Sequence, residues 1–370
     1  MIDERPPAGA CGPPPDEQVT RNRKEEHVGI CRAEPVQARR RFWDDIALVH
    51  SALPELDIGD IDLSVTLFGK KLEAPIIIAA MTGGYPGAKE INRNLAKAAA
   101  ECGVGLGLGS QRAALEDPAL EGTFSIVKEY RPPLVLGNVG APQLIKQGGK
   151  RPLGAADLLR ARKMVGADVM AVHLNFLQEV AEWDGDTQAR GCLAAIDAIS
   201  RRLPVVIKET GAGIGREVAR RLLRTEIKGI DVGGAGGTSF AAVEAFRARK
   251  KRDAASERLG NTFWDWGIPA PVSVLEIREL HRTFPIIATG GVRSGLDVAR
   301  ALALGATAAG LAQPFLAPAM ESARAVVDEL EMIKAELRAA MFLTGSADLA
   351  ELSRAKYIVS GECARWLEIS

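Results

Sequence analysis

The sequence lacks the features that would assign it to several classes of protein. Its 47 basic and 47 acidic residues give a formal net charge of zero, so charge provides no case for binding nucleic acid. Its apolar runs are interrupted well short of the roughly 20 residues that a membrane span needs. The first 18 residues contain no apolar stretch of the kind found in secretory signals. We therefore expect a cytoplasmic protein that binds neither nucleic acid nor a membrane.

Cysteines and aromatic residues are also scarce. Aromatic residues make up 5% of the chain, and the five cysteines are scattered, odd in number and without a C-x-x-C pair. This pattern favours reduced thiols over a disulfide framework. What the chain has in quantity is apolar residues, at 47%, and glycine, with 38 residues. That balance is typical of a globular protein with closely packed α/β layers.

Short apolar runs alternate with helical stretches between residues 75 and about 313. Eight repeats of strand and helix over roughly 240 residues predict a TIM barrel, for which about 250 residues are usual. A doubly wound parallel sheet is the second interpretation, because it is built from the same βαβ units. The predicted strands are residues 75–80, 104–108, 134–137, 169–172, 205–207, 229–232, 286–288 and 308–311.

Polar residues or glycines follow each predicted strand. In a TIM barrel the active site lies at the carboxyl ends of the strands, so the barrel interpretation predicts that these residues meet at one face. They are Met81, Thr82, Ser110, Gln111, Arg112, Asn138, His173, Asn175, Lys208, Glu209, residues 233–239, residues 290–293, Ala312 and Gln313. Eight such strand ends in succession indicate an active site.

The segment of residues 173–179 carries the densest group of functional side chains. It follows the apolar run 169–172, which predicts a short buried strand. His173 and Asn175 are two residues apart, so on an extended chain they face the same side. A glutamine and a glutamate close the segment. Polar groups gathered at one strand end are typical of the wall of an active site and not of a core.

Two glycine-rich loops follow the sixth and seventh predicted strands, at residues 233–239 and 290–295. Glycines let backbone N–H groups approach an anion, and the helix after such a loop presents its positive end. Each loop alone could be a tight structural turn, but together they favour a phosphorylated cofactor. The glycines at 211–215 resemble a dinucleotide-binding fingerprint. The sixth position of that motif, however, is not a glycine here, and no acidic residue ends a following strand at the expected place. We therefore expect no separate Rossmann domain.

Lys208 and Glu179 are candidates for binding charged groups. Lys208 ends the fifth predicted strand and should point into the barrel mouth, where a cation could neutralise an electron-rich ring. Glu179 is a candidate ligand of Mg²⁺, which takes few protein carboxylates and completes its shell with water and substrate phosphate. For each residue the alternative is an ordinary solvated side chain.

Two basic segments receive different interpretations. The first lies just before the folded body and could close over a phosphorylated substrate, although an exposed helix face explains it equally well. The second, residues 247–252, opens a polar insert at 247–262 between strands six and seven, for which we predict a solvated or mobile loop. The cations and histidine of the first segment are Arg21, Arg23, Lys24 and His27.

The ends of the chain differ in composition from the barrel. Residues 1–19 are rich in proline and glycine, which predicts a flexible tail. We expect residues 20–370 to form a single domain. Residues 323–341 have helical spacing and should pack on the barrel or on a neighbouring subunit.

Together these segments resemble the type 2 isopentenyl-diphosphate isomerases, which are FMN-dependent TIM-barrel enzymes. The resemblance runs in order from about residue 20 to residue 313 and is most specific at residues 173–179. The segments that carry it are Arg23-Lys24 with His27, residues 80–84, residues 109–112, Asn138, residues 173–179, Lys208-Glu209, residues 233–239, residues 266–268 and residues 290–293.

The resemblance implies a role for each matching residue. The substrate diphosphate would be held by Arg23, Lys24, Ser110, Gln111 and Arg112, within a pocket shaped by His173 and Asn175. Gln178 would contact the substrate, and Glu179 would bind Mg²⁺. The flavin would be lined by Ala80, Met81, Thr82, Ser110, Asn138, Lys208 and Thr238, and its phosphate would be surrounded by Gly291, Arg293, Ala312 and Gln313.

The implied reaction is the isomerisation of isopentenyl diphosphate to dimethylallyl diphosphate in isoprenoid biosynthesis. The flavin would be reduced by NADPH, with no net redox change in the reaction. No pair of Asp, Glu or Cys residues presents itself for proton transfer, so reduced FMN, near N5, is the expected acid–base group. His173, Asn175 and Gln178 would support it. The family also forms homo-tetramers or octamers.

Two other functions stay open on the sequence alone. An FMN-dependent 2-hydroxy-acid oxidase on a related barrel would need a histidine base and arginines late in the barrel, and the fit is poor. A non-catalytic flavin or phosphate-binding module would not need eight polar strand ends. The chain departs from the resembled family at residues 1–19, which extend beyond the family's usual start. Residues 183–186 read Trp-Asp-Gly-Asp where Pro-Glu-Gly-Asp is more frequent, which weakens the inference about that loop's geometry.

Overall fold

A closed barrel of eight parallel strands forms the centre of the computed structural model, which describes the backbone of residues 15–369 and the side chains of residues 23–369. The twelve strands among the described residues are β1 (Ile46–Leu48), β2 (Val65–Leu67), β3 (Lys70–Leu72), β4 (Ile76–Ile78), β5 (Gly105–Gly107), β6 (Leu134–Gly140), β7 (Val169–Leu174), β8 (Val205–Glu209), β9 (Gly229–Asp231), β10 (Ile286–Ala288), β11 (Ala308–Leu311) and β12 (Tyr357–Val359).

The barrel strands are β4 to β11, paired in chain order. The last, β11, pairs with the first, β4, so that the sheet closes on itself. This closure confirms the predicted TIM barrel and excludes the doubly wound sheet, whose edges stay open. Each of the eight predicted strands is present. They were recognisable because a parallel strand is buried on both faces and reads as a continuous apolar run.

Helices surround the barrel and follow most of its strands. Those described are α1 (Pro15–Ala33), α2 (Ala88–Glu101), α3 (Arg112–Glu116), α4 (Gly122–Ser125), α5 (Ala155–Val165), α6 (Phe176–Ala181), α7 (Cys192–Ser200), α8 (Arg216–Leu222), α9 (Phe240–Lys251), α10 (Ala254–Thr262), α11 (Ala270–Leu280), α12 (Gly295–Ala303), α13 (Gln313–Glu321), α14 (Ala323–Thr344), α15 (Leu349–Leu352) and α16 (Gly361–Glu368). None of the helices within residues 15–369 is long and apolar enough to cross a bilayer.

A hairpin of β2 and β3 closes the amino-terminal end of the barrel. Leu67 and Leu72 from this hairpin are buried in one cluster with interior side chains from the beginnings of the strands, such as Leu134 and Val169. Burial of these apolar side chains stabilises the closed end and excludes water from it. The carboxyl ends of the strands therefore form the open mouth.

The carboxyl-terminal segment packs against the outside of the barrel. As predicted for residues 323–341, it begins with a long helix, α14, which lies against α2, α12 and α13. Ser322 caps its first turn by accepting a hydrogen bond from Ala325 N, and Gly345 ends it in the left-handed conformation, with φ of 67°. Beyond it, β12 pairs with β1 from before the barrel.

Two segments that were predicted to be flexible or loop-like contain helices, which corrects both predictions. The flexible tail predicted for residues 1–19 lies outside the described residues up to residue 14, but residues 15–19 are already part of α1. The polar insert at 247–262 is not a loop, because it consists of the end of α9 and the whole of α10. The prediction was wrong because a helix with one charged face can have the same amino-acid composition as a solvated loop.

Candidate active site

A cavity of about 270 Å³ opens at the carboxyl ends of the barrel strands. Its volume is close to the lower end of the roughly 300–1,000 Å³ that is usual for small-molecule sites. Glu209, also expected at this face, does not line the cavity, but all of the residues to which the resemblance assigns a role, except Gln111, do. They are Arg23, Lys24, Ala80, Met81, Thr82, Ser110, Arg112, Asn138, His173, Asn175, Gln178, Glu179, Lys208, Thr238, Gly291, Arg293, Ala312 and Gln313. The side chain of Arg21, in α1, lies outside the described ones.

Gln111 is the exception, and its predicted contact with the diphosphate is corrected. Its side chain is fully buried. Its Oε1 accepts a hydrogen bond of 3.0 Å from the backbone of Asn138, and its Nε2 donates one of 2.8 Å to the carbonyl of Ala161. Because these bonds lie inside the wall, Gln111 faces away from the cavity and fixes the backbone of Asn138 instead.

Asn138 in turn orients His173. The Nδ2 group of Asn138 donates to the carbonyl of Leu108 at 2.9 Å, so its Oδ1 faces Nδ1 of His173 at 2.8 Å. The imidazole therefore carries its proton on Nδ1. Burial, and then the charges of Lys208, Lys24 and Arg23, lower the pKa of His173 to about 3. His173 is thus a neutral, oriented wall of the cavity and not a general acid at neutral pH.

The carboxylate of Glu179 is held in place by one residue that precedes it in the chain and one that follows it. Asn175 precedes α6, and its Nδ2 donates a 2.7 Å hydrogen bond to Oε1 of Glu179, one helical turn later. Oε2 accepts a 2.7 Å bond from the backbone of Asp186. Burial raises the pKa of the Glu179 carboxyl. The remaining oxygen of Asn175, Oδ1, is buried and has no hydrogen-bond partner among the described residues.

The carboxylate of Asp186 joins the same wall to the cation of Arg112. Its Oδ2 accepts hydrogen bonds from Arg112 at 2.9 Å and from Gln143 at 3.2 Å. Arg112 also binds Glu116, at 2.7 Å. Asp186 belongs to the 183–186 loop that departs from the resembled family. The structure shows that this loop nevertheless returns to the site and supports both Arg112 and Glu179.

Helix α1 covers one side of the mouth and supplies three of the predicted side chains. The Nζ group of Lys24 donates to the carbonyl of Ser110. Burial, with Arg23 and Arg112 nearby, lowers the pKa of Lys24 to about 7. His27 contacts Oε1 of Glu244 at 2.7 Å. Arg23, Lys24 and His27 thus line the cavity and do not form a solvated helix face.

Arg247 does not line the cavity, but it holds a buried cluster of charges behind it that the sequence interpretation missed. Its side chain is only 3% exposed, although it lies in the segment predicted to be a solvated loop. It donates hydrogen bonds to Glu26 and Glu182 at 2.7 Å and to Glu244 at 3.2 Å. Glu182 also binds Arg23, at 2.8 Å. The i, i+3 spacing of Glu244 and Arg247 is the one local signal for this cluster.

The two glycine-rich loops lie against each other. A Cβ atom on Gly290 would meet Gly234 O at 2.0 Å, and one on Gly291 would meet Gly236 O at 2.4 Å. Both Gly290 and Gly291 also have positive φ angles, of 98° and 78°. Only glycine allows this close approach of two backbones. The result is a cradle of main-chain atoms at one end of the cavity.

The helix that begins at the cavity is α13 and not α12, which follows the second glycine-rich loop. The first amide of α12, on Gly295, already donates to the carboxylate of Glu336 at 2.6 Å, so its positive end is occupied. Helix α13, after β11, instead begins at the cavity with Ala312 and Gln313.

Arg293 is held beside α13 by neutral amides. Its guanidinium donates to Oε1 of Gln313 at 2.6 Å and to Oε1 of Gln37. Gln37 was not anticipated. Burial and Arg41 lower the pKa of Arg293. Both of these acceptors are neutral and so do not balance the charge of Arg293. The observations fit a site for an anion that would balance it.

Comparison with known proteins gives closely similar relatives over nearly the whole chain. Isopentenyl-diphosphate delta-isomerase of Methanosarcina mazei is 46% identical over 355 residues, covering 95% of each chain. That of Methanothrix thermoacetophila is 49% identical, covering 94% of this chain and 96% of its own. The chain belongs to the isopentenyl-diphosphate delta-isomerase family. This confirms the resemblance identified from the sequence.

A family model described as FMN-dependent dehydrogenase matches residues 29–126 and 192–359. The unmatched part contains the 173–179 segment, where the resemblance to the delta-isomerase family is most specific. Solved structures of mandelate oxidase have the same fold, with a TM-score of 0.62 and 20% identity over 93% of this chain and 98% of theirs for one complex with (S)-2-phenylpropionate. At that identity the likeness shows the fold alone.

Proposed function

We propose that this member of the delta-isomerase family converts isopentenyl diphosphate to dimethylallyl diphosphate with FMN in the cavity. The observation that carries the proposal is the division of the cavity into two ends. One end is the main-chain cradle with Arg293, which suits a cofactor phosphate. The other gathers three cations, Arg23, Lys24 and Arg112, beside Glu179, which suits a diphosphate and its metal.

The residues at the cradle end fit FMN. Gly291, Arg293, Ala312 and Gln313 would hold its phosphate, as the resemblance implies. The ring would lie along Ala80, Met81, Thr82, Ser110, Asn138, Lys208 and Thr238, which also line the cavity. When bound and reduced, FMN would supply the acid–base atom near N5 for moving the double bond.

The other end fits Mg²⁺ with few protein ligands. No group of three or more His, Cys, Asp or Glu side chains that could hold a metal occurs among residues 23–369. A metal here would therefore take Glu179 and complete its shell with diphosphate oxygens and water. The unpartnered Oδ1 of Asn175, next to Glu179, is a further oxygen that suits a cation.

The protein's own residues would position the substrate, and they limit which groups could transfer the proton. Glu179 is the one carboxylate among the described residues that line the cavity, and His173 is neutral, so these residues provide neither a pair of carboxyl groups nor an imidazolium at His173. Gln178, held by Glu244 at 3.2 Å, would contact the substrate. Helix α1 would exclude water from the reacting alkene, which is a weak base and needs a dry site to be protonated.

The deciding experiment is an anaerobic assay of isopentenyl diphosphate with FMN, Mg²⁺ and dithionite. Formation of dimethylallyl diphosphate supports the proposal. Its absence, together with oxygen uptake on lactate or glycolate, would favour a 2-hydroxy-acid oxidase. Protein loaded with 5-deaza-FMN should isomerise far more slowly, and a full rate would remove the acid–base role from N5.

Three further predictions accompany the proposal. NADPH would reduce the flavin from solution, which stopped-flow reduction of bound FMN tests. A homo-tetramer or octamer would form, which light scattering tests. The protein would work in the cytoplasm, which fractionation of the source cells tests.

A further inference from the structure

A carboxylate lies beside Lys208. The sequence analysis did not single it out, and it has no role in the proposed function. Asp231 ends β9, and it is the Cα partner of Lys208 on β8. Paired residues on neighbouring strands present their side chains on the same face. Oδ2 of Asp231 is 3.2 Å from Nζ of Lys208, and both side chains are largely buried, at 7% and 13% exposed.

Asp231 is itself tied to the glycine loop through Thr289. The backbone N–H of Gly233 donates a 3.0 Å hydrogen bond to Oγ1 of Thr289. A backbone N–H can only donate, so the hydroxyl accepts it and directs its own hydrogen elsewhere. That hydrogen goes to Oδ1 of Asp231. Asp231 is therefore an acceptor on both sides, with Thr289 donating to Oδ1 and the ammonium of Lys208 lying beside Oδ2.

The contacts of Lys208 limit what it can offer to the cavity. An ammonium has three N–H donors. One donates to the carbonyl of Glu209 at 3.1 Å, and Asp231 attracts a second. One donor is left for the cavity that Lys208 lines.

We propose that Asp231 is the positioning residue that orients Lys208 toward a flavin bound in the cavity and partly neutralises its charge, and that Thr289 links Asp231 to the glycine loop. This proposal depends on FMN occupying the cavity, as in the proposed function, but not on isomerase activity. A carboxylate beside the cation reduces the positive field at the ring. Asp231 therefore opposes the effect of Lys208 on the stability of the reduced, more negative flavin.

The test is the midpoint potential of bound FMN, measured by equilibrium reduction against a reference dye at pH 6.5. The Asp231→Asn variant should raise the potential, because the unneutralised cation stabilises reduced FMN. The Lys208→Met variant should lower it. A pair that served only the fold would not give opposite signs, so shifts of equal sign, or none, overturn the proposal.

A second pair of variants replaces no charged residue. Thr289→Val removes the hydroxyl between Gly233 and Asp231. Its matched control is Thr307→Val, since Oγ1 of Thr307 accepts a 3.2 Å bond from the backbone of Ile286 at the closed end of the barrel. Loss of one hydrogen bond should raise the FMN dissociation constant roughly two- to tenfold in Thr289→Val, and leave the control unchanged. Equal affinities in the two variants would overturn the role of Thr289.

The outcomes separate this proposal from the proposed function. If wild-type protein bound no FMN, the cofactor assignment would fail first. If it bound FMN but did not isomerise the substrate, the potentials could still be measured. Should Asp231→Asn fail to fold, as circular dichroism would show, the affinities of the threonine variants decide the proposal.

Discussion

Gly185 approaches Glu179 so closely that a Cβ atom on Gly185 would lie 1.9 Å from the Glu179 carbonyl oxygen. This contact brings the next residue, Asp186, to the position where its N–H binds the Glu179 carboxylate and its side chain binds Arg112. The absence of a side chain at residue 185 therefore sets the geometry of two groups at the proposed diphosphate site, Glu179 and Arg112.

A Gly185→Ala variant should lose most of its isomerase activity. The methyl group would push the 183–186 loop away from α6 and displace both Glu179 and Arg112. A misplacement of about 1 Å near the reacting groups can cost on the order of 100-fold in rate. The measurement is kcat/KM for isopentenyl diphosphate. Gly149→Ala is the control, since its Cβ would meet nothing within 4 Å. Equal rates in the two variants would contradict the argument.

Replacement of Glu179 by glutamine should weaken the response to Mg²⁺. The amide keeps the size of the side chain but loses the charge that attracts the cation. Loss of a partner outside the coordination shell already costs about 10- to 100-fold, so the half-saturating Mg²⁺ concentration should rise at least about tenfold. The control is Glu90→Gln, at a glutamate whose side chain is 60% exposed. An unchanged Mg²⁺ titration would remove Glu179 from the metal site.

The lowered pKa of Lys24 should appear in the pH profile of substrate capture. Lys24 is charged below a pH of about 7 and neutral above it. Because the charged form attracts the diphosphate, kcat/KM should fall with rising pH, toward about tenfold per unit well above the pKa. In Lys24→Arg this fall should vanish, since a guanidinium stays protonated.

The informative quantity is the ratio of wild type to Lys24→Arg at each pH, because any titration of the flavin affects both proteins equally. Lys89→Arg, at an exposed position of α2, is the matched control. A ratio that stays constant from pH 6 to pH 9 would show that Lys24 does not titrate in this range.

Arg247 should be essential for folding stability. The Arg247→Met variant would remove the buried cation that Glu182 and Glu244 share, leaving Glu182 with Arg23 and Glu244 with His27. Breaking a buried ion pair costs up to about 3–5 kcal/mol in the free energy of unfolding. Arg249→Met is the control on the same helix, since that side chain is 58% exposed and exposed substitutions usually change stability by less than about 0.5 kcal/mol.

Urea unfolding followed by circular dichroism measures both variants. If Arg247→Met and Arg249→Met have the same unfolding midpoint and slope, the buried cluster does not stabilise α1 and α9 against each other.

The polar residues of the site could be predicted because the apolar runs end where the cavity begins. The predicted strands stop at residues 137, 172 and 207, but β6, β7 and β8 continue to Gly140, Leu174 and Glu209. Backbone pairing goes on past the last apolar residue, as the pairs Gly140–His173 and Lys208–Asp231 show. Hydrophobicity marked the buried part of each strand, whereas hydrogen bonding decided its length.

By itself the sequence determined the barrel, its strand order and the set of side chains at its mouth, because burial on both faces of a strand leaves a continuous local pattern. Only the tertiary structure decided which of those side chains face the cavity and which fix others, as with Gln111. It also decided that Arg247 is buried among Glu26, Glu182 and Glu244. Arg247 is 221 residues from Glu26 and 65 from Glu182 along the chain, and ion pairs over such distances leave no local pattern, since each partner alone reads as an ordinary surface charge.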